Sequence, residues 1–136
     1  MYKRQIEKSA VAVFAETADD AELAEIERRH RDLVRGLDKA GLTEPNRMEF
    51  EALEEVLHNA IIGALHNALI ETTYKRMHNY LRLVRLDRRI TVPIARRSLR
   101  EHLAIIEACQ ARDVEAAVTA VTTHFTAAMQ RHMGIY

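Results

Sequence analysis

Tryptophan is absent from this chain, which also has one cysteine, two prolines, four glycines and only 5% aromatic residues among its 136 positions. Each shortage excludes something. A lone Cys109 rules out an internal disulfide, so the fold must rest on a packed core, and a free thiol in an ordinary composition suits a reducing cytoplasm. So little glycine and proline leaves few positions for the tight turns of β-rich folds, while abundant Ala, Leu, Glu and Arg favour helix. No apolar run approaches the roughly 18 residues that span a bilayer, and the opening MYKRQIEKSA has no apolar signal-peptide core. Twenty basic and twenty acidic residues cancel and are interspersed, which excludes the one-sided basic field of a nucleic-acid binder. The expectation is a single all-α domain over residues 1–136, cytoplasmic, touching neither membrane nor nucleic acid directly. A chain of this length buries about two-thirds of the surface its unfolded form exposes.

What is present is helical periodicity. Ile6, Ala10, Val13 and Phe14 set a first helix from about Tyr2 to Glu16. Thr17 or Asp19 caps a second, whose stripe of Leu23, Ile26, Leu33 and Leu37 continues to Ala40 before Gly41 stops it. GLTEPN is the clearest loop, with Asn46 as the cap of a third helix carrying Phe50, Leu53, Leu57, Ile61 and Leu65. A fourth runs from about Ala68 to Asp87, and Pro93 breaks the pattern after it. The fifth presents Leu99, Leu103, Ile106 and Cys109. Asp113 caps the sixth, which reads Val114, Ala117, Val118, Val121, Phe125 and Ala128 along its inner face. Long helices with short connections imply an antiparallel bundle.

Four polar residues fall on those apolar faces: Glu54, His58, His102 and His124, at intervals of 4, 44 and 22. Glu54 and His58 share one helix face and can converge on one point, with His102 and His124 arriving from two other helices. Three imidazoles and a carboxylate form an N/O ligand set for a divalent ion such as Zn, Ni, Co, Mn or Fe, with positions left open for water or a carboxylate. The bland reading makes each a core histidine satisfied by hydrogen bonds. Burying four such groups separately costs several kcal/mol for each ionised one, and a single shared cation removes that cost. His30 keeps register with the apolar stripe but has Ile26, not a carboxylate, four before it, which places it at the core edge or behind the ligands. His66, His78 and His132 have no carboxylate at the matching spacing.

Three stretches carry a family resemblance: YKRQIEKSAVAVFAETADDAELAEIE from Tyr2, FEALEEVLHNAIIGALHN from Phe50, and EHLAIIEACQARDVEAAVTAVTTHF from Glu101. Together they resemble the effector-binding FCD domain of FadR-type regulators in the GntR superfamily. The resemblance implies an antiparallel bundle of six to seven helices that forms a homodimer, holds a divalent metal on Glu54, His58, His102 and His124, and senses a small carboxylic acid. It also implies effector contacts from Arg4, Arg85 and Asn67, the two arginines offering bidentate forks to a carboxylate. Glu54 stands where the family usually has Asp, Leu57 where it has Phe, and His66 where Gly is common. The winged helix-turn-helix domain of such regulators is not in this sequence, which implies an excised domain or a stand-alone protein that does not itself bind an operator. A ligand-sensing regulatory domain is the leading expectation. The alternative is a stand-alone metal-dependent enzyme acting on a small organic acid, against which the sequence offers no general base or nucleophile with its own orienting partner. A third possibility is a dimerising module in which the metal only stabilises the fold.

Overall fold

The computed structural model describes the backbone of residues 2–85 and 90–132 and the side chains of residues 4–80 and 90–131. Six α-helices occupy almost all of it: α1 (Tyr2–Thr17), α2 (Asp20–Ala40), α3 (Glu44–Gly63), α4 (Ala68–Arg85), α5 (Val92–Gln110) and α6 (Val114–His132). No strand occurs among the described residues. None of their helices is long and apolar enough to cross a membrane.

The helix starts follow capping chemistry. Asp19 caps α2 by accepting from the Ala21 N–H, and Asp113 caps α6 by accepting from the Ala116 N–H at 3.0 Å. The sequence reading errs at the first proline. The cap of α3 is Thr43, not Asn46, and Pro45 lies inside the first turn; Thr91 and Pro93 repeat the arrangement at α5. A proline in the first turn forfeits only an N–H that has no intrahelical partner anyway, and its fixed φ suits a helix start. The expected end of the fourth helix at Asp87 lies outside the described residues.

Cross-helix pairs fix the direction of packing. Going up α2, Glu27 meets Gln110, Arg31 meets Glu107 and Asp38 meets Arg96, so rising numbers on α2 face falling numbers on α5. The two helices are antiparallel. The α5–α6 hairpin is likewise antiparallel and turns on Arg112, whose φ of 56° places it in the left-handed region. Its guanidinium donates to the Ala15 carbonyl and to Asp20, tying that turn to the α1–α2 junction.

The core is split along the bundle. One apolar cluster packs Leu33 and Leu37 of α2 against Phe50 and Leu53 of α3 and Ala95 and Leu99 of α5. The other, larger, contains Phe14, Leu23, Ile26, Leu57, Ile61, Tyr74, Leu103, Ile106 and Val121. Each of three helices passes from one cluster to the other across a polar residue: His30 between Ile26 and Leu33, Glu54 between Leu53 and Leu57, His102 between Leu99 and Leu103. A polar layer with a hydrophobic wall on either side is where a bundle can hold a ligand at low dielectric.

Candidate metal centre

The sequence places Glu54, His58, His102 and His124 on α3, α5 and α6, and the fold brings all four together. One ligand atom from each lies within 4.8 Å of every other. The rings cluster: centroids are 4.7 Å apart for His102 and His124, 5.4 Å for His58 and His124, and 5.7 Å for His58 and His102. His102 and His124 are buried, while the side chains of His58 and Glu54 retain only 11% and 12% of their exposure.

Each member is gripped from behind. His58 Nδ1–H donates to Glu7 at 3.0 Å, and the Tyr74 hydroxyl donates to the same Glu7 oxygen. His124 Nδ1–H donates to Glu101 at 2.7 Å, and Arg131 closes on both oxygens of that carboxylate at 2.8 and 3.1 Å. Ser98 donates to Glu54 at 2.8 Å. His102 Nδ1 faces His30 at 3.0 Å. With the Nδ1 protons of His58 and His124 given to carboxylates, the nitrogen left for coordination on each is Nε2. His102 Nε2 is buried with no hydrogen-bond partner, 3.8 Å from Glu54 Oε1. A buried imidazole nitrogen with no hydrogen-bond partner, beside a carboxylate and two further rings, makes a donor set that fits a divalent metal.

Electrostatics agree. Burial drives the His102 pKa well below its ordinary value against the opposing pull of Glu54, so the ring is neutral near pH 7 and its lone pair is available. Burial also lowers His30, with the Ile26 carbonyl and Glu54 acting the other way. At Glu101 burial pushes the carboxyl up, but the hydrogen bonds from His124 and Arg131 outweigh it and hold it below its ordinary range. Cys109 is buried and pushed up to about 11, so its thiol stays protonated and takes no part as a ligand.

The expected effector contacts lie on α1 and at the two ends of α4. Arg4 is exposed, lies over the Phe125 ring at 5.3 Å and reaches Thr126 at 3.4 Å, one turn before Glu7 and directly after His124. Asn67 is exposed and caps α4, its Oδ1 accepting from the Ile70 N–H at 3.1 Å. Arg85 ends α4, and its side chain lies outside the described residues. His78, given no role from sequence, is buried with its ring stacked on Tyr74 at 6.3 Å and 5.9 Å from His58.

Sequence reasoning missed Glu7, Tyr74, Ser98 and Arg131, and it placed Glu101 in a matching motif without a role. A signal existed for Glu7. It keeps helical register with Ala10, Val11 and Phe14, an acidic residue on an apolar stripe, and is 4% exposed.

The family model described as the FCD domain matches residues 2–127. Among solved structures the chain is similar to the metal-free FCD domain of TM0439, a provisionally assigned transcriptional regulator. The identity is 26% and the TM-score 0.65, over 90% of this chain and 77% of that one. No curated protein matches the chain.

Proposed function

Because this chain belongs to the FCD domain family, we propose that it is the ligand-sensing domain of a GntR/FadR-type transcriptional regulator, one that holds a divalent metal and responds to a small carboxylic acid. The observation that carries the reading is the paired construction of the site. Glu54, His58, His102 and His124 converge, and each is oriented from behind by a separate residue. Core histidines that merely fill space have no need for their lone pairs to meet. A bound divalent ion supplies a Lewis-acid anchor for an effector carboxylate.

The residues of the chain do the rest. Glu7 and Glu101 hold His58 and His124 in one orientation, Ser98 holds the Glu54 carboxylate, and the apolar clusters on either side keep water out. In this reading Arg4, at the α1–α6 seam beside Phe125, pairs with an anionic group of the effector, and Arg85 and Asn67 are its further contacts. Effector and metal address α3, α5 and α6 at once, so an effector that fits one arrangement of these helices better than another shifts the balance between them. The homodimer this reading includes has apolar surface to draw on, since α4 leaves Leu69 at 76% and Tyr80 at 68% exposure.

Metal analysis tests the reading directly. Untagged protein should carry about one equivalent of a divalent metal, with His102→Ala binding neither metal nor, in a screen by thermal shift, any carboxylic acid that stabilises the wild type. Undiminished acid binding by His102→Ala would overturn it.

A further inference from the structure

His30 is outside the donor set yet wholly buried against it. Its ring meets His102 edge-on, with centroids 5.1 Å apart and planes at 67°. His30 Nδ1 lies 2.8 Å from the carbonyl oxygen of Ile26, and His30 Nε2 lies 3.0 Å from His102 Nδ1. The spacing of four along α2 makes the first contact natural, because a side chain can share the carbonyl one turn back, which has a second lone pair to offer.

The directions of both hydrogen bonds follow from proton bookkeeping. A carbonyl has no proton to give, so His30 Nδ1 is the donor to Ile26. His30 is shut away from water, its two nitrogens facing a carbonyl and another imidazole, and such a ring carries one proton. That proton sits on Nδ1, so His30 Nε2 is a bare lone pair. The bond to His102 then requires the proton on His102 Nδ1. His102, equally buried, also carries one, which leaves its Nε2 bare on the side of Glu54, His58 and His124. This is the nitrogen that has no hydrogen-bond partner.

We infer that His30 is a positioning residue: through the chain from the Ile26 carbonyl to His30 to His102, it locks His102 in the Nδ1-protonated tautomer and presents a bare Nε2 to the site before any ion arrives. The consequence for metal binding rests on the function proposed above; the tautomer lock does not. The choice of residue has a physical logic. Behind His124 the Glu101 carboxylate is paired with Arg131, and behind His58 the Glu7 carboxylate accepts from the Tyr74 hydroxyl as well. A third carboxylate behind His102, at 0% exposure, would bury an uncompensated charge. An imidazole turned by a backbone carbonyl orients the ring without adding one.

The test has a readout independent of metal. In metal-free wild type labelled with 15N-histidine, His102 should show a protonated Nδ1 and an unprotonated Nε2 at neutral pH. Two variants separate the hydrogen bond from the volume: His30→Gln keeps an acceptor where Nε2 stood, and His30→Leu fills the space without one. Zinc titrated against a chromophoric chelator should bind His30→Gln within about threefold of wild type. His30→Leu should bind roughly 10- to 100-fold more weakly, the usual effect of losing the partner behind a metal ligand, and should show His102 in mixed tautomers. A proton on His102 Nε2 in the metal-free wild type overturns the inference, as does zinc affinity in His30→Leu equal to wild type. If His30→Leu does not fold, the wild-type spectrum and His30→Gln still decide, since a loss beyond tenfold in His30→Gln overturns it. Wild type that takes up no zinc yet shows the expected tautomer upholds the lock and refutes the metal reading instead.

Discussion

Glu7 and His58 are 51 positions apart in the chain and 3.0 Å apart in the fold, an acidic residue of the first helix receiving the ring proton of a histidine on the third. The Glu7 side chain is 5% exposed. A carboxylate so placed sets which nitrogen of His58 is free and makes that nitrogen more basic. The same helix face carries Ala10 and Val11 into the larger apolar cluster, so the docking of α1 and the orientation of His58 go together.

Replacing Glu7 should therefore weaken the centre without touching a ligand. Zinc affinity is expected to fall roughly 10- to 100-fold in Glu7→Ala, and less in Glu7→Gln, whose amide oxygen can still accept from His58. Competition titration against a chelator of known affinity checks the order; equal affinities in wild type and Glu7→Ala would contradict it.

Glu101→Ala should act on stability as well as on metal. It takes the Glu101 carboxylate away from the Arg131 guanidinium, only 13% exposed, and frees the His124 ring. Removing one partner of a largely buried ion pair costs about 3 kcal/mol, because the remaining charge keeps its desolvation penalty. Urea denaturation of the metal-free protein should show a lower midpoint with an unchanged slope. A double replacement of Glu101 and Arg131 by apolar residues should recover much of that loss but not the metal affinity.

Stability of the metal-free protein should depend on pH in one direction. His30 and His102 are both held below their ordinary value of 6.5 by burial. Below pH 6.5 the unfolded chain binds protons on these two residues that the folded chain refuses, so stability falls as pH falls, and their contribution is flat above that value. Each group contributes at most about 1.4 kcal/mol per pH unit. Glu101, held below its ordinary 4.5, adds a further loss at lower pH. Denaturant midpoints between pH 8 and 5 check the trend, and midpoints rising on acidification would refute it.

Metal should act as a folding ligand. At a free zinc concentration 100 times its Kd, a site present only in the folded state stabilises by about 2.7 kcal/mol. Thermal unfolding with and without a chelator should show the shift in wild type and none in His102→Ala.

Much of the architecture was readable from one-dimensional pattern, because helices announce themselves by apolar spacing and every expected helix is found. The convergence of four polar residues was readable for the same reason. Glu54, His58, His102 and His124 interrupt apolar stripes, and a polar residue in such a place demands a purpose. What was unreadable was pairwise. Nothing local in the chain tells Arg131 from the other arginines, and its grip on Glu101 exists only because α6 folds back along α5. Tyr74 and Ser98 look like routine helix residues until the fold sets them against Glu7 and Glu54. Pro45 misled because a break signal and a first-turn signal are the same residue, told apart only by the threonine cap two positions before it.

The polar layer also imposes an order in time. Its contributors are spread from Glu7 on the first helix to His124 on the last, with His30, Glu54, His58 and His102 between. A ribosome making this chain releases Glu54 and His58 before His102 and His124, so the four side chains cannot meet until α6 has emerged. Convergence of the four donors is therefore the last part of the site to form, and it depends on α6 folding back along α5.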